Sequence, residues 1–213
     1  MRGPIMILAG RNLSPFTRRC AISLIHAGMS YEMDELNAAQ EKEKVQQYNK
    51  LGRVPALKLD DGTCLVDSWA ILDWIDQTAG PDKALVPASS DARRDVLRLT
   101  AYAMGTMEKA VAYFYETGLR PEDKRWKDWG DRLGSQVVDG FTFLEEALGD
   151  SEWLHGNRMT QADITTVCAY DFATVRAADL LDGGKRFPKL AAFTDRCNKL
   201  EPFAKTNLDP YRG

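Results

Sequence analysis

Residues able to do chemistry fall in three short stretches of this 213-residue chain: Ser14 in "NLSPFTRRC", Val54-Pro55 in "GRVPAL" and Asp67-Ser68 in "LVDSWAI". Ser14 precedes a proline, the favoured pairing of a cap and a first helical residue. A serine hydroxyl both accepts and donates, so holding a guest is a second role open to it. Val54-Pro55 stands before an apolar run, and proline cannot donate to a central ladder, so the pair belongs at a strand start or edge. If that bond is cis, the N–H and C=O of Val54 turn away from the sheet towards a guest's main chain. Asp67-Ser68 opens a helix, and a serine hydroxyl with the free N–H groups of a helix start binds a carboxylate. Asp67 beside it suits an ammonium. A guest with both charges on one carbon, as in an amino-acid α-carbon, fits the pair; the plainer alternative is that one of the two only caps the helix.

Other chemistries are poorly served. The two histidines, His26 and His155, lie far apart, and Cys20, Cys64, Cys168 and Cys197 form no C-x-x-C, so reduced thiols and no metal site are expected. The net charge of −3 argues against a broad grip on nucleic acid or an anionic membrane. The basic pairs Arg18-Arg19, Arg93-Arg94 and Lys124-Arg125 read as solvated faces. No apolar run approaches the ~20 residues of a spanning helix, and Ile5 to Ala9 is too short for a signal segment, so a cytoplasmic protein is expected.

The elements that must position these residues alternate over the first 80 positions. Ile5 to Leu8 reads as a strand, and Pro15 to Gly28 as a helix with Phe16, Cys20, Leu24 and Ala27 at helical spacing. "SYEMDEL" is a weaker strand, and residues 38 to 51 are polar and helix-prone. Ala56 to Leu59 and Cys64 to Val66 form a hairpin about Asp61-Gly62. The order β-α-β-α-β-β-α implies one sheet with helices packed on it. Residues 81–91 read as a linker. Helices are then expected from Asp91 to Thr117, from Pro121 to Leu148, from Ile164 to Ala178 behind a Thr160–Asp163 capping box, and from Phe187 to Leu200. The fold class is therefore an α/β domain over 1–80 and an all-α domain over 92–213.

In order and spacing, Ser14-Pro15-Phe16, Val54-Pro55 and Asp67-Ser68 resemble the glutathione transferases. The resemblance extends to Gly105, to "GNRMTQADITTVCAYDF" and to "FPKLAAFTDR", and is nearest to bacterial members of the serine or cysteine type. It implies a thioredoxin-like first domain, glutathione as co-substrate and a homodimer. It makes Ser14 the residue that activates the glutathione thiol, and places Phe16, Val54, Pro55, Asp67 and Ser68 around the tripeptide. Gln40, Lys42 and Arg53 compete for the glycine carboxylate, Lys42 being favoured. Serine in place of cysteine favours conjugation over disulfide reduction, and Cys20 falls on the apolar face of its helix. A hydrophobic electrophile is expected against the first long helix, with Tyr102, Met107, Tyr113 and Phe172 as candidates. Glutathione-dependent peroxide reduction or isomerisation, and a non-catalytic binding module, are the alternatives.

Overall fold

The computed structural model describes residues 5–211. Among them four strands form one mixed sheet in the order β2-β1-β3-β4. Strand β1 (Met6–Gly10) runs parallel to β2 (Tyr31–Glu35) and antiparallel to β3 (Ala56–Lys58), which pairs antiparallel with β4 (Cys64–Val66). The register sets Leu8 opposite Leu57 and Ala9 opposite Ala56. Successive side chains alternate between faces, so the two pairs serve different layers. Leu8 and Leu57 join Cys20 and Leu24 of α1 (Pro15–Ala27) and Ile71 and Ile75 of α3 (Ser68–Ala79) in one cluster. Ala9 and Ala56 meet Leu36 and Val45, the latter on α2 (Lys42–Val45), in a second. The β-α-β-α-β-β-α order is thus the expected one, although only four of the residues from 38 to 51 are helical.

The described residues divide into two compact units: residues 5–88 with 201–210, and residues 89–200 with 211. The second unit is helical, built from α4 (Ser90–Phe114), α5 (Lys127–Leu148), α6 (Gln161–Arg176) and α7 (Pro188–Cys197). Phe141 of α5 is fully buried against the rings of Tyr170 and Phe187. No helix among the described residues is long and apolar enough to cross a membrane.

Several boundaries differ from the sequence pattern for identifiable reasons. Asp91 does not cap α4 but pairs with Arg94 at 2.9 Å, and the helix starts at Ser90. At its other end α4 widens into one π turn, Tyr115–Leu119. Pro121 leads only into a short 3₁₀ turn, Glu122–Lys124. Helix α5 begins after Trp126, whose N–H donates to the buried Glu116 carboxylate at 2.7 Å. A carboxylate ten residues upstream therefore fixes the start that Pro121 was expected to fix. The segment 201–210, read as part of the helical domain, groups with the first unit. Its short helix α8 (Glu201–Ala204) packs near α1, and Arg18 Nε donates to the Thr206 carbonyl at 2.9 Å.

Candidate active site

The turn from β1 into α1 carries the first chemical residue. Gly10 ends the strand at φ +138°, and a Cβ there would stand 2.5 Å from Thr17 Oγ1. Only glycine permits so close a return of the helix onto the strand. Ser14 then takes extended backbone angles as N-cap, and its Oγ accepts from Thr17 N at 3.3 Å. Pro15 is the first helical residue. The half-buried Ser14 hydroxyl is thus an acceptor towards the helix, and its own proton can serve a second group. Phe16 follows, half-buried, in the first turn.

The loop before β3 presents a second edge. Val54-Pro55 is cis, and the β1–β3 ladder begins at Ala56, so the peptide groups of Val54 lie outside it. Val54 itself packs against the Leu36–Val45 cluster together with Tyr48. Tyr48 donates its hydroxyl proton to Asp34 at 2.8 Å; burial first, and the carboxylate second, push its pKa up to about 12. It is a fixed strut and not a base. Lys42, exposed at the start of α2, runs along Gly52: a Cβ on that glycine would stand 3.4 Å from Lys42 Cγ. Gln40 is engaged elsewhere, its Oε1 accepting from Asn37 Nδ2 at 2.9 Å. Arg53 is exposed, and its carbonyl accepts from Asn49 Nδ2 at 2.9 Å.

At the head of α3, Asp67 is exposed and its Oδ1 accepts from Trp69 N at 3.0 Å. Its φ of +68° with ψ 135° is a conformation that side chains rarely adopt and that typically costs ~1–3 kcal/mol. The neighbouring Ser68 is buried, and its carbonyl lies 3.9 Å from Cys20 Sγ on α1. Cys20, fully buried, is a core residue.

One reading of the sequence is overturned here. Arg18 and Arg19 do not form a solvated face: they are 1% and 0% exposed. Arg18 turns to the Thr206 carbonyl, and the Arg19 guanidinium stands 4.8 Å from the centre of the Trp69 ring. Those partners lie 188 and 50 positions downstream, so no local pattern announces them.

The four candidates for an electrophile wall all belong to the helical unit, where the structure does not gather them on one face. Met107 is fully buried in the core. Tyr102, five residues earlier and about 140° round the helix, is exposed and stacks on Phe143 of α5 with ring centres 3.8 Å apart. Tyr113 lies about 16 Å further along α4 and donates its hydroxyl proton to Asp179. Phe172 of α6 meets Phe114 edge-on at 6.2 Å, and Arg176 lies over the other ring at 5.3 Å from its centre. Among the described residues no cluster of acidic, histidine or cysteine side chains could hold a metal ion.

Comparison with known proteins decides the family. The models for the glutathione S-transferase N-terminal domain and C-terminal domain match residues 8–83 and 110–201. The chain belongs to the glutathione transferase family. A glutathione S-transferase from Methylobacterium radiotolerans, solved with glutathione sulfonate, superposes with a TM-score of 0.88. The two are 28% identical, over 94% of this chain and 93% of that one. A family member from Pseudomonas fluorescens with bound glutathione gives a TM-score of 0.82 at 28% identity, covering 95% and 98% of the two chains. Among curated relatives, the maleylacetoacetate isomerase of Pseudomonas aeruginosa is 26% identical over 85% of this chain and 86% of its own.

Proposed function

We propose that the protein is a serine-type glutathione transferase that joins the glutathione thiolate to hydrophobic electrophiles, working as a cytoplasmic homodimer. The reading is supported by family membership, by the glutathione compounds bound in structural neighbours, and by the polar groups at the ends of three elements of one unit. The observation that carries it is the Ser14 hydroxyl at the head of α1, which accepts from Thr17 N and can donate outward. Val54 would pair with the cysteinyl main chain and Lys42 with the glycine carboxylate. The γ-glutamyl ammonium would meet Asp67, its carboxylate the Ser68 end of α3, and Phe16 would border the tripeptide.

The energetics are sufficient without a base or metal. A free thiol of pKa ~8.5 is only a few per cent thiolate at neutral pH. Lowering that value by ~2 units requires ~2.7 kcal/mol of preference for the anion. A hydrogen bond to a charged group supplies ~1.5–3 kcal/mol, and a helix start adds ~0.3–1 kcal/mol. Ser14 on α1 combines both.

The test is a pH titration of bound glutathione, following thiolate absorbance in the wild type and in Ser14→Ala. A bound thiol that titrates well below the free one, and loses that shift on substitution, is the expected result. A bound thiol with no shift in the wild type makes Ser14 a helix cap alone and the protein a ligand carrier.

A second reading uses the same thiolate for isomerisation, and the similarity to the maleylacetoacetate isomerase favours it as the alternative. Thiolate addition followed by bond rotation and release leaves glutathione unconsumed. A panel of chloronitrobenzene, hydroperoxide and cis-enone substrates, scored for glutathione consumption, separates conjugation, peroxide reduction and isomerisation.

A further inference from the structure

Several arginines of this protein end on an acceptor. Arg18 reaches the Thr206 carbonyl, Arg120 Nε the Glu116 carboxylate at 2.8 Å, and Arg125 Nε the Arg120 carbonyl at 3.0 Å. Arg196 lies over the rings of Trp153 and Phe193, 4.6 and 5.2 Å from their centres, and pairs with Glu152 at 3.8 Å. Arg176, the last residue of α6, breaks the pattern. Its guanidinium lies 5.3 Å from the centre of the Phe114 ring, which meets Phe172 edge-on. Its Nε is enclosed without a hydrogen-bond partner, and the side chain forms no ion pair or hydrogen bond with any described residue.

The carboxylates near it in the chain are engaged elsewhere. Asp179 accepts from the Tyr113 hydroxyl, and Asp171 accepts from Asn198 Nδ2 at 3.0 and 3.2 Å. A cation suits the negative end of a helix, which is one plain explanation for the position. The stronger form of that role is a bond to the last carbonyls, and Arg176 makes none. Nor does a helix end call for a ring laid against the guanidinium, which removes water that would otherwise solvate it. Arg176 is half-buried, and its two terminal nitrogens, unlike Nε, are not enclosed. What remains is a planar donor edge, ordered beside two rings and lacking an acceptor of its own. Such an edge meets both oxygens of a carboxylate, and being already ordered it loses little freedom on binding. Phe114 and Phe172 offer the flat body behind that carboxylate an apolar contact.

We infer that Arg176, with Phe114 and Phe172, forms a subsite for the carboxylate of an aromatic or conjugated acid. The inference rests on the proposed transferase reading and deepens it: the electrophile selected is a hydrophobic acid in preference to its neutral counterpart. Arg176 is a specificity residue that fixes the charged end of the ligand and takes no part in bond making.

The experiment uses one pair of ligands, 4-chloro-3-nitrobenzoate and 4-chloro-3-nitrobenzamide, which differ in charge and little in shape. Binding is read by calorimetric titration without glutathione, and turnover with it. In turnover the thiolate sulfur bonds to C4 and chloride leaves with the bonding pair. The wild type is expected to bind the benzoate about tenfold more tightly, since a charge-assisted hydrogen bond is worth on the order of a factor of ten. Arg176→Gln is expected to weaken the benzoate about tenfold and to leave the benzamide within about twofold. The benzoate KM rises while kcat stays near the wild-type value. Arg176→Lys, which keeps the charge without the planar fork, falls between. Should Arg176→Gln not fold, the wild-type preference and the Arg176→Lys titration decide, with a partial loss for the benzoate alone expected. Equal losses for both ligands, or no loss for either, overturn the inference and leave Arg176 a packing residue. A wild type that binds the two equally also overturns it, and glutathione consumption with both leaves the transferase reading standing. A benzoate preference that depends on Arg176, with no glutathione consumed, keeps the subsite and overturns the transferase reading.

Discussion

Helices α1 and α6 begin alike, each with a hydroxyl residue at the cap and a short side chain three positions on: Ser14 with Thr17, and Thr160 with Asp163. What stands at the third position separates them. In α6 the Thr160 N–H and hydroxyl both donate to Asp163 Oδ2, at 2.7 and 2.8 Å, and Leu154 N donates to Oδ1 at 2.8 Å. Asp163 is fully buried, and the hydroxyl proton is spent inside the fold. In α1 the third residue is a threonine, and Ser14 uses its lone pair for the cap. The proton stays available at a half-buried surface. One acid, present or absent, divides a closed cap that holds a helix in place from an open one that can serve a guest.

The closed cap gives the largest expected effect. Asp163→Ala leaves three buried donors without their acceptor, and each such loss costs ~1–3 kcal/mol, so the fold should lose about 3–5 kcal/mol. Urea unfolding measures it; a loss under about 1 kcal/mol would show that water replaces the carboxylate and that the cap is not closed. Burial pushes the Asp163 carboxyl up, against the pull of its donors. A raised carboxyl contributes stability that is fully present below the unfolded pKa and lost as pH rises through the folded one. The gap between wild type and Asp163→Asn should therefore narrow from acid towards neutral pH.

The open cap should respond in the other currency. Ser14→Ala removes a cap acceptor, at ~1 kcal/mol of stability. Under the proposed function it also removes the donor to the sulfur; returning the bound thiol from ~6.5 towards ~8.5 lowers the thiolate fraction at neutral pH, and with it the conjugation rate, by up to about twenty-fivefold. Rate and melting curve are measured on the same preparation. A rate loss that merely follows the stability loss would mean the two caps do the same job.

Both caps were legible in the sequence because a cap is local. Ser-Pro and Thr-x-x-Asp lie within one helical turn, and side-chain chemistry at that spacing has few other uses. Four strands and the helix starts at Pro15 and Ser68 were readable for the same reason. What the pattern misplaced was set by distant partners. The start of α5 depends on Glu116, and α7 is capped by Glu145, whose two oxygens accept from Lys189 N and Leu190 N at 2.8 and 2.7 Å. Arg18 and Arg19 looked solvated because charge is cheapest in water; only the three-dimensional placement of Thr206 and Trp69 withdraws them. The helical unit hid more than the sheet unit, since a stripe of apolar residues looks the same whether it faces a core, as Met107 does, or a neighbour such as Phe143, as Tyr102 does. The candidate ligand contacts came from the ends of elements, where turn chemistry is specific, and the electrophile candidates came from the middle of helices, where it is not.

The smallest expected effect comes from a carboxylate that does the Asp163 job at the surface. Glu41, just before α2, accepts from Asn37 N at 2.9 Å and from Lys44 Nζ at 2.7 Å. The Asn37 N–H first, and Lys44 second, hold its carboxyl below the ordinary value, the reverse of Asp163. A lowered carboxyl contributes stability that is present above the unfolded pKa and lost as pH falls through the folded one. The difference between wild type and Glu41→Gln should thus shrink on acidification, whereas the Asp163 difference grows. Salt should remove the Lys44 share and spare the Asn37 share, because only the former is an exposed ion pair. Melting curves of the two variants across about pH 3 to 7, at low and high salt, read both slopes. If they run in the same direction, burial is not what distinguishes the two carboxylates, and the contrast between closed and open caps must rest on the hydroxyl proton alone.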